Sequence, residues 1–155
     1  MVDFPKVTLD TDLKEGCCFG CGINNPIGLK LKFKKEADGI SAEYTPDPRF
    51  QGWPGLLHGG ITGTLLDEAM SNVAYGTGNT CLTAVSTIRI RQPIPIDATL
   101  VVYARVTRQR SRLIETDGRV CLQDGTVVAE ATAKQFIVEN RAAKGDIVRE
   151  KKDHV

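Results

Sequence analysis

The stretch Gly52-Trp53-Pro54-Gly55-Leu56-Leu57-His58-Gly59-Gly60-Ile61-Thr62-Gly63-Thr64-Leu65-Leu66-Asp67-Glu68-Ala69-Met70-Ser71-Asn72-Val73-Ala74-Tyr75 decides how this chain folds. From Gly59 onward, Ile61, Leu65, Leu66, Ala69, Met70 and Val73 recur at the helical period, with the small residues Gly63 and Ala74 among them. Gly76 and Gly78 end the run. The spacing predicts a helix over 59–75, the only convincing long helix in the sequence. It is apolar over so wide a face that other elements must wrap around it.

On either side the sequence reads as strands. Leu29-Lys30-Leu31-Lys32-Phe33-Lys34 alternates apolar and basic residues, Asp38-Gly39 marks a tight turn, and Ile40-Ser41-Ala42-Glu43-Tyr44 returns. Between Pro46 and Gly55 a loop rich in proline and glycine carries Phe50 and Trp53. Beyond the helix, strands are expected at about 82–91, 99–110, 112–123 and 126–138, the last pair joined by a turn at Gln123-Asp124-Gly125. The order β-β-α-β-β-β-β lacks the crossover helices of a parallel sheet, so the fold class is α+β. The organisation is an irregular segment over 1–28, a single folded domain over 29–139, and a charged tail over 140–155 that includes His154.

Composition agrees with a single domain. The 155 residues are 41% hydrophobic and 25% charged, and twenty Lys+Arg against nineteen Asp+Glu give a net charge of +1. That balance argues against general capture of nucleic acid or of an anionic membrane. No apolar run is long enough to span a bilayer, and the opening Met1–Asp12 has neither a basic start nor an apolar stretch, which predicts no secretory leader. Five cysteines, an odd number in a chain of this size, favour free thiols and a cytoplasmic location.

Candidate chemistry gathers on the helix. At its entry, unpaired N–H groups and the positive end of the macrodipole meet two glycines that allow close approach, so the Gly60 N–H is placed to hold an oxyanion. The same residues are equally read as a tight turn with His58 as the cap. Asp67 and Glu68 lie mid-helix, far from the favourable first turn, and at least one must border the apolar stripe, where a carboxylate suits a general base or nucleophile. The structural reading pairs Asp67 with an arginine and leaves Glu68 in solvent. Gly60 and Asp67 are seven residues apart, about 10 Å along one helix face. A single carbonyl could hardly touch both in one chain. A catalytic reading therefore requires a dimer with composite sites.

The segment Gly52–Gly60 with its His58-Gly59-Gly60, followed by Leu65-Leu66-Asp67-Glu68-Ala69, resembles the HGG motif and acid-bearing helix of hotdog-fold acyl-CoA thioesterases, the phenylacetate-pathway type above all. The likeness extends over about 17–138, through Cys18-Phe19-Gly20-Cys21-Gly22, Asn25-Pro26-Ile27-Gly28-Leu29 and Gly125…Ala129-Glu130-Ala131. It implies a curved antiparallel sheet around the helix, homodimers, and tetramers built from two dimers. It also implies hydrolysis of an acyl- or aryl-CoA to the free acid and coenzyme A, with no cofactor and no metal. The resemblance makes Gly60 the oxyanion donor and Asp67 the base or nucleophile. His58 would orient the loop, Thr83 would help position water, and Gln51 would lie near the carbonyl. Gly59, Glu68 and Trp53 are then expected to contact substrate, and Arg110 and Arg112 to cradle the phosphates of coenzyme A with their guanidinium forks. The bland reading of those arginines is a solvated sheet face.

Cys18-Phe19-Gly20-Cys21 has the spacing of zinc knuckles and redox dithiols, but no second CxxC or nearby CxxH completes four zinc ligands, so a structural loop is expected. Three other functions fit the same fold: a hydratase or dehydratase on acyl-CoA, a non-catalytic acyl-CoA binder, and a thioesterase that meets a carrier protein through the arginine face. The late position of the acid relative to His58 favours hydrolysis over hydration.

Overall fold

The computed structural model describes residues 16–140; the segment 1–15 and the tail from Arg141, His154 included, lie outside the described residues. Within them the chain forms β1 (Lys34–Lys35), β2 (Ile40–Tyr44), a 3-10 turn (Pro48–Phe50), α1 (Gly59–Tyr75), β3 (Asn79–Ile90), β4 (Leu100–Arg110), β5 (Leu113–Leu122) and β6 (Val127–Asn140). The six strands make one antiparallel sheet in the order β1-β2-β4-β5-β6-β3, with α1 packed on one face. This is the expected α+β hotdog architecture. No described helix is long and apolar enough to cross a membrane.

The predicted helix limits match the observed ones. His58 caps the N-terminus, its Nδ1 accepting from the Gly60 N–H at 2.9 Å. At the other end Gly76 stays right-handed, and it is Gly78, at φ +85°, that takes the left-handed conformation. The buried face is Thr62, Leu65, Leu66, Ala69, Met70, Val73 and Ala74. Ile61, expected on the stripe, is only half-buried and Thr62 takes the inner position. These side chains meet the inward rows of the sheet, among them Leu100, Val102 and Ala104 of β4, Val120 of β5, and Ala129, Ala131 and Ala133 of β6.

Close approach of α1 to the sheet depends on small residues. A Cβ at Gly118 of β5 would sit 3.2 Å from Met70 Cγ and 3.5 Å from Leu66 Cδ2. On the other flank, a Cβ at Gly63 would meet Ile88 Cδ1 at 3.1 Å and one at Gly59 would meet Ile90 Cδ1 at 3.3 Å. The helix is therefore wedged between β5 and β3 by glycines on both partners.

One expected strand is corrected. Residues 29–34 alternate as predicted, with Leu29 and Leu31 buried, but only Lys34–Lys35 pairs with β2. Lys30 adopts φ +59°, which breaks the extended run. The backbone instead bonds to the cysteine loop, Leu29 N to Phe19 O at 2.7 Å and Leu31 N to Gly20 O at 2.9 Å. The alternation reported burial correctly; it could not report which backbone would be the partner.

Replacing Gly118 by Val should destabilise the chain by about 1–3 kcal/mol, because the added methyls must displace Met70 and Leu66 from a packed contact. Urea unfolding checks this: the midpoint should fall with an unchanged slope.

Candidate active site

Two parts of α1 carry the polar groups predicted for chemistry, and the fold treats them differently. At the helix entry, Leu57 N bonds to Ile94 O and His58 N to Phe50 O, which fixes the loop against the β3–β4 connection. A cavity of about 550 Å³ opens there, lined by Trp53, Leu57, His58, Gly59, Ile90 and Ile94 among others. The Gly60 N–H is not directed at a ligand, because His58 Nδ1 takes it at 2.9 Å. His58 is thus the cap of the alternative reading. Gly59, which lines the cavity, has an N–H with no acceptor among the described residues. The donor expected at Gly60 is available one residue earlier.

Mid-helix, Thr83 Oγ1 donates to Asp67 Oδ1 at 2.9 Å, and Ser71 Oγ lies 3.5 Å from Thr83 Oγ1. All three residues are half-buried. Asp67 forms no ion pair among the described residues, so the expected alternative of an arginine partner is not realised. Directly after Thr83 the β3–β6 register slips, and Ala84 is the extra residue. A bulge of this kind bends a strand and re-aims the side chains beside it.

Ser71 and Gln135 are the polar neighbours that sequence reasoning missed. Gln135 is directly opposite Thr83 in the ladder and is fully buried, yet neither end of its amide has a partner among the described residues. The signal was present in the period-two row Ala129, Ala131, Ala133, Gln135, where an amide occupies a core-facing position.

The remaining expected residues separate. Gln51 braces its own loop: its Nε2 donates to Pro48 O at 2.9 Å and its Oε1 accepts from Gly55 N at 2.6 Å. Both ends of the amide are spent, so it is not free to address a carbonyl. Trp53 is 79% exposed at the cavity mouth, while Phe50 turns away to pack edge-to-face on Phe19. Arg110 and Arg112 flank the tip of the β4–β5 hairpin, exposed and without ion pairs among the described residues, whereas Arg105 is held by Asp117 and Asp38 and Arg91 by Glu130. Because Gln109 pairs with Ile114, Ile114 with Gln135, and Gln135 with Thr83, that tip belongs to the Asp67 end of the sheet. Gly59, beside Ile90, belongs to the other end, roughly 20 Å along β3 at the usual rise per residue.

Glu68 goes neither to solvent nor to the helix entry. Its Oε1 accepts from Asn72 Nδ2 at 2.8 Å and its Oε2 lies 3.5 Å from Cys18 Sγ, beside Cys21. Cys21 is exposed as a residue, but local desolvation of its sulfur, followed by the hydrogen bond and charge of Glu68, holds its thiol well above the ordinary cysteine range.

The family described as Thioesterase superfamily matches residues 54–129. The chain is 27% identical over 131 residues to acyl-coenzyme A thioesterase THEM4 of Bos taurus, covering 83% of this chain and 54% of that protein. The chain spans about half the length, or less, of the curated relatives it matches. Among solved structures, a hypothetical thioesterase protein from Streptococcus pneumoniae with coenzyme A superposes with a TM-score of 0.67 at 23% identity, covering 72% of this chain and 90% of that one. PaaI of E. coli, from the phenylacetic acid degradation operon, gives 0.68 at 20% identity, with 73% and 83% covered.

Exchanging Gln135 for Leu removes a buried amide with no partner while keeping its approximate volume, and should raise stability by about 1 kcal/mol. A fall in the denaturation midpoint would show that the amide holds a bound water.

Proposed function

We propose that this chain, whose residues 54–129 match the Thioesterase superfamily, hydrolyses an acyl- or aryl-CoA thioester to the free acid and coenzyme A. The observation that carries the reading is the Thr83–Asp67 hydrogen bond at 2.9 Å, on a half-buried acid with no cationic partner among the described residues. Thr83 spends its proton on Oδ1, which leaves its oxygen lone pairs to accept from a water and Oδ2 to remove that water's other proton. The hydroxide so formed attacks the thioester carbonyl. The tetrahedral oxyanion collapses with loss of the coenzyme A thiolate, which takes up the proton from Asp67.

The oxyanion requires a donor, and the structure favours the Gly59 N–H over that of Gly60, since the latter is bonded to His58. His58 Nδ1 accepts in the same contact, which places the proton of the neutral ring on Nε2 and leaves that nitrogen a donor instead of a base. Gly59 and Asp67 are eight residues apart on one helix, about 12 Å. The two therefore act together only when a second copy brings its Asp67 to this Gly59. β3 is an edge strand, and Val85, Ile88 and Ile90 expose 56%, 42% and 47% of their surface there. An apolar edge of this length calls for pairing, and a homodimer formed across it completes the site. Arg110 and Arg112 then join the site from the subunit that supplies Asp67, with the phosphates of coenzyme A as their ligand. Trp53 and Ile90 border the acyl group.

A thiol-release assay over short, medium, long and aromatic acyl-CoAs tests the proposal. Asp67→Asn should lower kcat/KM at least ~100-fold on the best substrate. Gly59→Pro removes the oxyanion donor at a position where a helix tolerates proline, and its ring also presses on Ile90, which a Cβ there meets at 3.3 Å; kcat should fall about 100- to 1000-fold with the helix intact by circular dichroism, whereas Gly59→Ala, which makes the same contact and keeps the N–H, should retain most of it. Near-native turnover in Asp67→Asn or Gly59→Pro overturns the assigned role, and tight acyl-CoA binding without turnover in the wild type would mark a binding protein.

Shared sites make a further expectation. Mixing equal amounts of unfolded Asp67→Asn and Gly59→Pro chains and refolding them together should restore roughly a quarter of the wild-type rate, since half the dimers carry one intact site. No recovery, with light scattering reporting dimers, would place both groups in one chain.

A further inference from the structure

Cys18, Cys21 and Glu68 bring two sulfurs and a carboxylate oxygen within 4.8 Å of one another, although Glu68 lies on α1, 47 residues beyond Cys21. Three separate features of the fold converge on this point. The cysteine loop is a tight knuckle: Gly22 N donates to Cys18 O at 2.9 Å, and a Cβ on Gly22 would strike the Cys18 backbone. Gly20 clears the space that the carboxylate fills, since a Cβ there would collide with the Glu68 side chain. Asn72 holds Glu68 Oε1 at 2.8 Å, which leaves Oε2 to face the sulfurs. No cation balances the group: Glu68 forms no ion pair among the described residues, and the Lys30 ammonium is engaged by the carbonyls of Gly22, Ile23 and Asn25.

We propose that Cys18, Cys21 and Glu68 form a binding site for one zinc ion, with water at the fourth position, that fastens the cysteine loop to α1. Two thiolates and a carboxylate select a borderline-soft, tetrahedral divalent ion over magnesium or calcium. The dimensions agree. With Zn–S near 2.3 Å and Zn–O near 2.0 Å, a tetrahedral S···O edge is about 3.5 Å, and Cys18 Sγ to Glu68 Oε2 measures 3.5 Å. Asn72 is the outer partner that orients the ligating carboxylate, as such sites require. Binding displaces the two thiol protons to solvent and changes no oxidation state. The ion's part is positional: it would hold the loop that bonds to Leu29 and Leu31 against the helical turn next to Asp67.

The test uses the full chain, purified under reducing conditions without chelator. Elemental analysis should find close to one zinc per chain. Cobalt(II) added to the metal-stripped protein should produce the visible bands of a tetrahedral site with thiolate charge transfer in the near ultraviolet. Cys18→Ser and Cys21→Ser should abolish the charge-transfer signal. Asn72→Ala should weaken cobalt binding about 10- to 100-fold. The cobalt titration of the wild-type chain decides the matter even if a cysteine variant fails to fold. Metal well below stoichiometric after loading, a cobalt spectrum without thiolate bands, or a Cys18–Cys21 disulfide trapped by alkylation at lysis would each overturn the proposal, the last in favour of a redox dithiol. None of these readouts depends on thioester turnover.

Discussion

The seating of α1 against the sheet is the constraint on which the rest of this structure depends. Leu65, Leu66 and Met70 have no exposed surface, and they reach that state because Gly118 and the alanine row of β6 let the helix come close. A helix buried this fully must have its position along the axis fixed, since a slip would drive large side chains into the sheet. Every polar group of interest is referred to that position. Asp67 reaches Thr83, Glu68 reaches the cysteine loop, and Gly59 opens on the cavity beside Ile90 because the same helix is clamped in one place.

The second consequence of this packing is an unfinished edge. β3 turns its first half inward, where Asn79 and Thr80 are buried, and leaves Val85 to Ile90 exposed. Gly59 and Gly63 of α1 face the same edge, so the helix entry and the open strand form one continuous surface. Hydrophobic area at an unpaired strand is a liability for a monomer and an interface for a dimer. On the proposed reading, the helix divides a site between two chains, each giving its donor from one end and its acid from the other.

Adjacent acids illustrate how little of a side chain's role lies in its identity. Asp67 and Glu68 are neighbours in sequence and differ by one methylene, yet a rotation of about 100° separates them on the helix. One meets a threonine of β3 and the other meets two cysteines of the N-terminal loop. At the helix entry a single residue makes a comparable difference. The sequence pointed to the Gly60 N–H; the structure gives that hydrogen to His58 and leaves Gly59 facing the cavity. The sequence resemblance puts Gln51 near a carbonyl, whereas its amide is consumed by Pro48 and Gly55.

Periodicity and punctuation determined the fold. The limits of α1, the four long strands and the α+β class were all legible, because burial of one face imposes a period on the sequence and glycine and proline mark where it stops. The position of Asp67 at the border of the apolar stripe was legible too, since that placement is visible in one dimension; its role is a proposal. Tertiary structure alone decided the partners. Which backbone Leu29 and Leu31 would bond to, that Thr83 would reach Asp67 through a strand bulged at Ala84, and that Glu68 would lie beside Cys18 and Cys21 are all matters of distance between segments far apart in the chain. Hydrogen bonds and metal ligands act over about 3 Å with strict geometry, whereas a hydrophobic pattern needs only a side, and that is why the sequence carries the second and not the first.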